Sequence, residues 1–415
     1  MEIQYNALQL EAIHSNSDKI LVTACPGAGK STSLVGAISY YLTEHPKANV
    51  IAITFTRKAA DDLSDKLSAY PTVTPSTIHS WSLRQLRELA FEHHFIVRLL
   101  QEEEIKEILR HLCKKVGFYN IQEFWLYLYV TGNYNMDISE VNKRRYERIA
   151  REYIQYKRDN SLYDFMDLPL YLYDKLEEYG VNIEGVDGLF VDEFQDVDPV
   201  QAQVFNRVAA KKKFFIGDER QAIYKFRGAD SSVLNDLDGF DSYTLNINYR
   251  SGQDILDFAS TLYNTVPSKI SDITDITDYG EDRIIGSRNI SGRVIVCGEN
   301  GIANDLTYGD VNSAYTFLIG YIYKNNPYIL CRSNKIVKAI KKLGYSNVST
   351  IHQAKGLEYK DVLVVDFDID PDNEEELNIA FVACTRAKDS LVIANYEVLE
   401  RVLKGKVLQN NFRPF

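Results

Sequence analysis

Several things are scarce or missing in this chain, and each absence closes off a class of protein. The five cysteines, Cys25, Cys113, Cys297, Cys331 and Cys384, form no CxxC pair, so neither a zinc site nor a disulfide framework is expected. The longest apolar runs, at residues 19–24, 49–55 and 361–365, fall far short of the roughly 20 residues that span a bilayer. Met1 is followed by acidic Glu2 and a mixed segment, not by a basic start and an apolar block, so no signal peptide is read and an intracellular protein is expected. Neither an internal repeat of roughly 20–50 residues nor a low-complexity tail is found. Excess positive charge is missing too. The net charge of −11 argues weakly against non-specific nucleic-acid binding through a long-range field. Local basic stripes can still neutralise phosphates, and two exist, at residues 143–158 (KRRYERIAREYIQYKR) and 332–342 (RSNKIVKAIKK). A solvated helix face is the plainer reading of either stripe alone.

What is present is globular. The 415 residues, 45% of them hydrophobic, can fill two to four domains at the usual ~100–200 residues each. Strand-like apolar runs alternate with helical patterns in two blocks: near residues 20–24, 50–54, 189–191 and 214–216, then near 293–297, 328–331, 361–365 and 391–394. Such alternation predicts an α/β fold with parallel sheets covered on both faces. Residues 80–179, rich in Leu, Glu, Lys and Tyr at helical spacing, interrupt the first block as a helical insertion. The polar stretch 266–292 lacks periodicity and reads as an irregular excursion. The expected division is 1–79 with 180–247 as the first domain, 80–179 as the insertion, and 248–415 as the second domain.

Chemistry concentrates at strand ends. Residues 24–32, ACPGAGKST, follow a strand and precede a helix, the context a phosphate-binding loop requires. Gly27 and Gly29 let the backbone curl so that its N–H groups face phosphate oxygens, with Ala28 between them in the ATP-binding set. Lys30 brings charge to the β- and γ-phosphates, Ser31 a hydroxyl for Mg²⁺, and Thr32 continues into a helix whose N-terminus favours anions. The strict pattern opens with Gly, where this chain has Ala24. Residues 190–196, FVDEFQD, end another strand: Asp192 is placed to hold Mg²⁺ and Glu193 to orient an attacking water, while Gln195 and Asp196 could relay nucleotide state. An acidic pair after a strand is often mere surface; together with the phosphate loop, each supplies what the other lacks. In 215–230, FIGDERQAIYKFRGAD, Asp218 and Gln221 would face a nucleotide. Tyr224 and Phe226, followed by Arg227, offer π-faces of the kind that stack unpaired bases at roughly 1–3 kcal/mol each. Arg250 (NYRS) and Arg386 (ACTRAK) are candidate arginine fingers; both lie outside the first block, so that ATP would bind between two domains.

In this order, these motifs resemble the UvrD/Rep branch of superfamily 1 helicases over most of the chain apart from the insertion and residues 266–326. The resemblance implies two RecA-like P-loop domains. It places Gln9 (YNALQLEAI) on adenine and Tyr249 stacked on the same base, with Glu358 (STIHQAKGLEYKDVLVV) on the ribose. Arg250 and Arg386 become the first and second fingers. Phe55, Thr56 and Lys58 (ITFTRKAADDL), Thr77 and His79 (STIHSW), Tyr224, Phe226 and His352 fall in strand-contacting positions, and Lys355 lies near DNA or nucleotide. Departures exist: Arg57 stands where a small polar residue is usual, Phe226 where tryptophan is common, and Ala383-Cys384 where a Gly-containing pair is common. A large accessory domain usually separates the basic helix from IHQAKGLE; here residues 343–350 leave no room for it, and the wedge-bearing loop is shortened to 366–376.

The expected protein is an ATP- and Mg²⁺-dependent DNA helicase or translocase on single-stranded and forked DNA, with 3′→5′ travel implied by the resemblance alone. A protein-stripping translocase that unwinds poorly stays open, as does an ATP-switched interaction or loading module. RNA stays open as a track, because stacking tolerates either sugar. Residues 132–136 (GNYNM) and 266–292 are candidate wedges. Residues 409–415 (QNNFRPF) loosely resemble a sliding-clamp-binding peptide for a replication or repair partner, with an ordinary chain end as the plainer reading.

Overall fold

The structure is a computed structural model. It describes residues 4–117, 140–224, 233, 237–268, 270, 283–298, 301–304, 307–308, 311–365, 367–370, 372–394, 396, 399–400 and 402–403; of these, the side chains of 140–143, 297–298, 301–304, 307–308 and 311–316 are not described. Phe226, Arg227, the stretch 132–136, part of 266–292 and the peptide 409–415 lie outside the described residues. The chain forms two compact bodies. One holds Met1–Thr23, Lys30–Gly217 and Tyr224–Thr244; the other holds Ala24–Gly29, Asp218–Ile223 and Leu245–Phe415.

The first body is built on a six-stranded sheet among the described residues. Its strands are β1 (Lys19–Ala24), β2 (Val50–Thr54), β3 (Val73–Thr77), β4 (Gly188–Val191), β5 (Lys212–Gly217) and β6 (Asp241–Leu245), in spatial order β3-β2-β4-β5-β1-β6. The pairs β1–β5, β2–β3, β2–β4 and β4–β5 are parallel. Every residue of β2 and β4 is buried, as expected of strands covered on both faces. The core joins Phe194, Phe205 and Phe215 to Trp81, Leu86, Leu172 and Leu176 from the helices Ile78–His93 and Leu168–Tyr179. Each such side chain contributes roughly 1.5–3 kcal/mol by leaving water.

A separate core forms from Leu100, Ile105, Leu109, Leu112, Cys113, Tyr146, Ile149 and Tyr153, on the helices Glu102–Lys115 and Glu140–Asp159. The independent core is therefore narrower than residues 80–179, because the flanking helices Ile78–His93 and Leu168–Tyr179 spend their apolar faces on the sheet. Part of the basic stripe on Glu140–Asp159 turns inward. Lys157 is buried and paired with Asp164 at 2.8 Å and Asp167 at 2.6 Å. Burial and the neighbouring Asp164 push the Asp167 carboxyl up, with Lys157 opposing.

The second body carries a two-stranded parallel pair, β7 (Ile247–Asn248) with β8 (Ile285–Gly286), and a seven-stranded sheet among the described residues. The latter comprises β9 (Arg293–Gly298), β10 (Gly301–Asn304), β11 (Thr307–Tyr308), β12 (Tyr328–Cys331), β13 (Val348–Thr350), β14 (Tyr359–Val365) and β15 (Ala387–Ala394), ordered β11-β10-β9-β15-β14-β12-β13. Its β9-β15-β14-β12-β13 portion is parallel, and β10 and β11 extend it antiparallel. Only residues 343–347 separate the helix Asn334–Lys342 from β13, with Gly344 at φ +84° making the turn. A link of five residues leaves no room there for the accessory domain that the resemblance would place before IHQAKGLE. Among the described residues, no helix is long and apolar enough to cross a membrane.

Candidate active site

In the first body the helix Lys30–Glu44 begins at the residue after the glycine loop, and β4 delivers the acidic pair beside it. Ser31 Oγ donates to Asp192 Oδ2 at 2.8 Å, and Lys30 Nζ lies 3.9 Å from Glu193 Oε2. Thr32 is half-buried on the first turn of the same helix. Burial, and then the adjacent Glu193 carboxylate, push the Asp192 carboxyl up to about 6, against the Ser31 hydrogen bond and the Lys30 charge. A carboxylate and a hydroxyl brought this close form the hard oxygen pair that a magnesium ion takes.

Glu193 adopts φ +52°, ψ +43°, a left-handed conformation that costs a non-glycine residue roughly 1–3 kcal/mol. The turn swings its carboxylate back toward Lys30, and Gln195 Nε2 donates to it at 2.5 Å. Gln195 in turn fills the space above Gly217 at the end of β5, where an added Cβ would lie 2.8 Å from Gln195 Oε1.

A second set of residues gathers at the carboxyl ends of β2 and β3, whose last residues Thr54 and Thr77 are register partners. Thr56 and Thr77 cap the following helices, accepting from Ala59 N at 3.1 Å and Ser80 N at 3.3 Å. Beside these caps, Phe55 stacks on Tyr224 (4.9 Å, 16°) and His79 stacks on Phe165 (5.4 Å, 15°). Lys58 is exposed beside them. Gln9 is buried, and its Oε1 accepts from Asn6 N at 2.9 Å in a reciprocal helix cap. A cleft of about 710 Å³ lined by Tyr40, Tyr41, His45 and Lys212 lies at the opposite, amino ends of the strands; it touches the end of YNALQLEAI at Ile13 but none of the candidate site residues.

In the second body the phosphate loop is stitched to residues 248–251. Gly27 and Gly29 have φ of +67° and +80°, a conformation that glycine accepts freely. Ala28 N donates to Cys25 O at 3.2 Å, closing the turn. Tyr249 N donates to Gly27 O at 2.9 Å, and the residue stays 45% exposed. Asn248 Nδ2 donates to Pro26 O, while Asn248 Oδ1 accepts from Arg250 N and Ser251 N, both at 2.7 Å. Arg250 Nε donates to Glu358 Oε2 at 2.9 Å and its Nη1 to Thr385 O at 3.2 Å; Glu358 also pairs with Lys388. Partial burial would raise the Glu358 carboxyl, but the hydrogen bonds from Lys388 and Arg250 hold it below its ordinary value.

Arg386 is buried. Its Nη2 donates to Gln221 Oε1 at 3.2 Å, its Nε to Val382 O at 3.0 Å and its Nη1 to Leu357 O at 3.2 Å. Gln221 Nε2 donates to Asp218 Oδ2 at 2.6 Å, and Lys355 Nζ to Gln221 O at 2.7 Å. The loop Asp218–Ile223 is thus held by both the second candidate finger and the lysine of IHQAKGLE. His352 is buried on the short helix Ile351–Ala354.

Residues 5–240 match the UvrD/REP helicase N-terminal domain, and residues 345–394 match the UvrD-like helicase C-terminal domain. The chain belongs to the UvrD/Rep helicase family. It is 26% identical to the putative ATP-dependent DNA helicase YjcD of Bacillus subtilis, over 61% of this chain and 37% of that protein. It is 26% identical to the ATP-dependent DNA helicase Rep of Buchnera aphidicola, over 62% of this chain and 44% of that protein. A probable DNA helicase of Mycoplasma pneumoniae is 24% identical over 95% of this chain and 83% of its own length. The chain thus spans less than half the length of the first two.

Within this family frame, the structure brings together Ser31 with Asp192, Lys30 with Glu193, Gln221 with Arg386, Arg250 with Glu358, and Phe55 with Tyr224. Two residues went unread in the sequence. Asn248 is fully buried at the hub of the phosphate loop, and it gives no signal of its own in the sequence, since it ends a strand of only two residues. Phe165 gives none either, because the stretch around it reads as one more turn in a helical insertion.

Proposed function

We propose that this chain is an ATP-driven motor that moves along single-stranded DNA, 3′→5′, and separates strands at a fork. The observation that best supports this reading is the Ser31–Asp192 oxygen pair with Glu193 turned toward Lys30. Ser31 and Asp192 would hold Mg²⁺, which when bound supplies positive charge at the β- and γ-phosphates. Lys30 and the N–H groups of the glycine loop bind the phosphates. Glu193, steadied by Gln195, orients the attacking water and accepts its proton. Arg250 and Arg386 supply charge to the transferring phosphoryl group. Tyr249 stacks on adenine beside Gln9, and Glu358 takes the ribose. Gln221 reports the position of Arg386 to the loop Asp218–Ile223, which runs directly into Tyr224 in the sequence.

The near-parallel ring pairs Phe55–Tyr224 and His79–Phe165 are surfaces that unpaired bases can extend. Thr56, Lys58, Thr77, His352 and Phe226 complete the proposed strand contacts. The five-residue link before β13 favours a second reading, a translocase that displaces proteins but unwinds duplex poorly.

The test is the ATPase rate with and without single-stranded DNA, at low and moderate salt, with Lys30→Ala and Glu193→Gln as controls. DNA stimulation that fades with salt and vanishes in both variants, while both still bind DNA, is the expected result. Turnover near wild type in either variant would sink the assignment. Stimulation by RNA alone would move the track, and forked-duplex unwinding set beside protein displacement separates the two readings.

A further inference from the structure

Residues 283–292 carry no motif, yet they lie along the finger loop within the second body. β8 pairs in register with β7, matching Ile247 to Ile285 and Asn248 to Gly286. Ile285 N donates to Asn246 O and Ser287 N to Asn248 O, both at 2.9 Å. The segment is pinned from behind by the helix Gln253–Thr265. Arg283 forks onto Asp257 at 3.0 and 2.6 Å, Gly286 N donates to Gln253 Oε1 at 2.7 Å, and Asp254 N donates to Ser291 O at 2.5 Å. Gly252 and Gly292 cross so closely that a Cβ on Gly252 would lie 2.4 Å from the Gly292 Cα.

From this anchored strand Arg288 reaches across. Its Nη1 donates to Arg250 O at 2.8 Å and to Lys388 O at 3.1 Å, and lies 2.8 Å from Asp389 Oδ1. The side chains of Arg250 and Lys388 both pair with Glu358. The two cationic residues are therefore tied twice, through their carbonyls by Arg288 and through their side chains by Glu358. Exchanging the Glu358 contacts, as ribose binding would, leaves the backbone tie in place.

We propose that Arg288, aimed by Asp389, is a positioning residue for Arg250: it fixes the backbone from which that arginine reaches the phosphoryl group. The proposal rests on reading Arg250 as a finger. A misplacement of about 1 Å can cost on the order of 100-fold in rate, so Arg288→Ala should lower the DNA-stimulated kcat about 10- to 100-fold.

Three further readouts separate positioning from a merely structural role. KM for ATP should stay within about threefold, since uniform binding is untouched. Arg288→Lys should recover part of the loss, because an ammonium can reach both carbonyls without the planar fork. In an Arg250→Ala background, Arg288→Ala should add less than about twofold, the non-additivity expected of residues acting as one unit. All are measured on the full chain, with thermal unfolding checked; should Arg288→Ala not fold, Arg288→Lys and Asp389→Asn carry the same cycle. A full, additive loss in the Arg250→Ala background would overturn the positioning role while leaving Arg250 as a finger. An Arg250→Ala chain with wild-type turnover would overturn the finger reading itself, and with it the reason for the brace.

Discussion

Asn248 offers the sharpest test of how the phosphate loop is held. Its side chain is fully buried and makes three hydrogen bonds: Nδ2 to the Pro26 carbonyl, and Oδ1 from the Arg250 and Ser251 amides. Asn248→Asp preserves shape and both accepted bonds but removes the donor, so a carboxylate faces the Pro26 carbonyl. One buried carbonyl left unsatisfied costs about 1–3 kcal/mol. If the loop bears that cost, nucleotide affinity falls roughly 5- to 150-fold. Asn248→Ala also abandons two buried amides and should fall further. Titration with a fluorescent ADP analogue measures the first quantity, and urea unfolding of the same samples measures how much of the loss is global. The expected pattern is a loss of ADP affinity larger than the loss of unfolding free energy, with Ala worse than Asp. ADP binding by Asn248→Asp within about twofold of wild type would refute the reasoning, because the bond to Pro26 would then carry no measurable energy.

Gly217→Ala should keep the fold but lower kcat, since the new methyl meets Gln195 Oε1 at 2.8 Å and displaces the partner of Glu193; a steady-state ATPase assay with circular dichroism checks both halves. Phe165→Ala removes a ring stacked on His79 and should weaken single-stranded DNA binding by about 1–3 kcal/mol without changing ATP affinity, read by fluorescence anisotropy. Burial, with the charge of Lys19, brings the Lys213 ammonium down from 10.5 to about 8. Between those values the unfolded chain binds a proton that the folded chain lacks, so stability rises with pH across that window. Lys213→Met should abolish that rise and stabilise the protein at pH 7 by about 1–2 kcal/mol after the lost bond to Phe205 O, measured as urea midpoints from pH 7 to 10.

Much of the architecture was written in short-range pattern. All eight apolar runs read as strands lie within observed strands, because residues buried on both faces of a parallel sheet must be apolar almost without interruption. β3 escaped notice: VTPST has a single buried residue and a proline, and it is a strand through its partner β2, not through its own composition. β13 is three residues long and equally silent. In the helices Ile78–His93 and Leu168–Tyr179, periodicity reveals an apolar face without saying which core receives it.

The chemical site divides along the same line. Lys30, Ser31, Asp192 and Glu193 stand out in the sequence because phosphate and metal chemistry demands particular groups beside particular strand ends, and the structure brings them side by side. What supports them does not stand out, because support is geometric. The left-handed backbone of Glu193 is a property of its turn, and no glycine announces it. Asn248 and Arg288 act on backbone carbonyls, which every residue possesses, so nothing in a partner's identity marks the contact. A carbonyl-directed brace is legible only once the segments run side by side. It also tolerates change in the residues it holds, provided their backbones stay put. Substituting the side chain of Pro26 should therefore perturb the phosphate loop less than substituting Asn248, even though the two residues share one hydrogen bond.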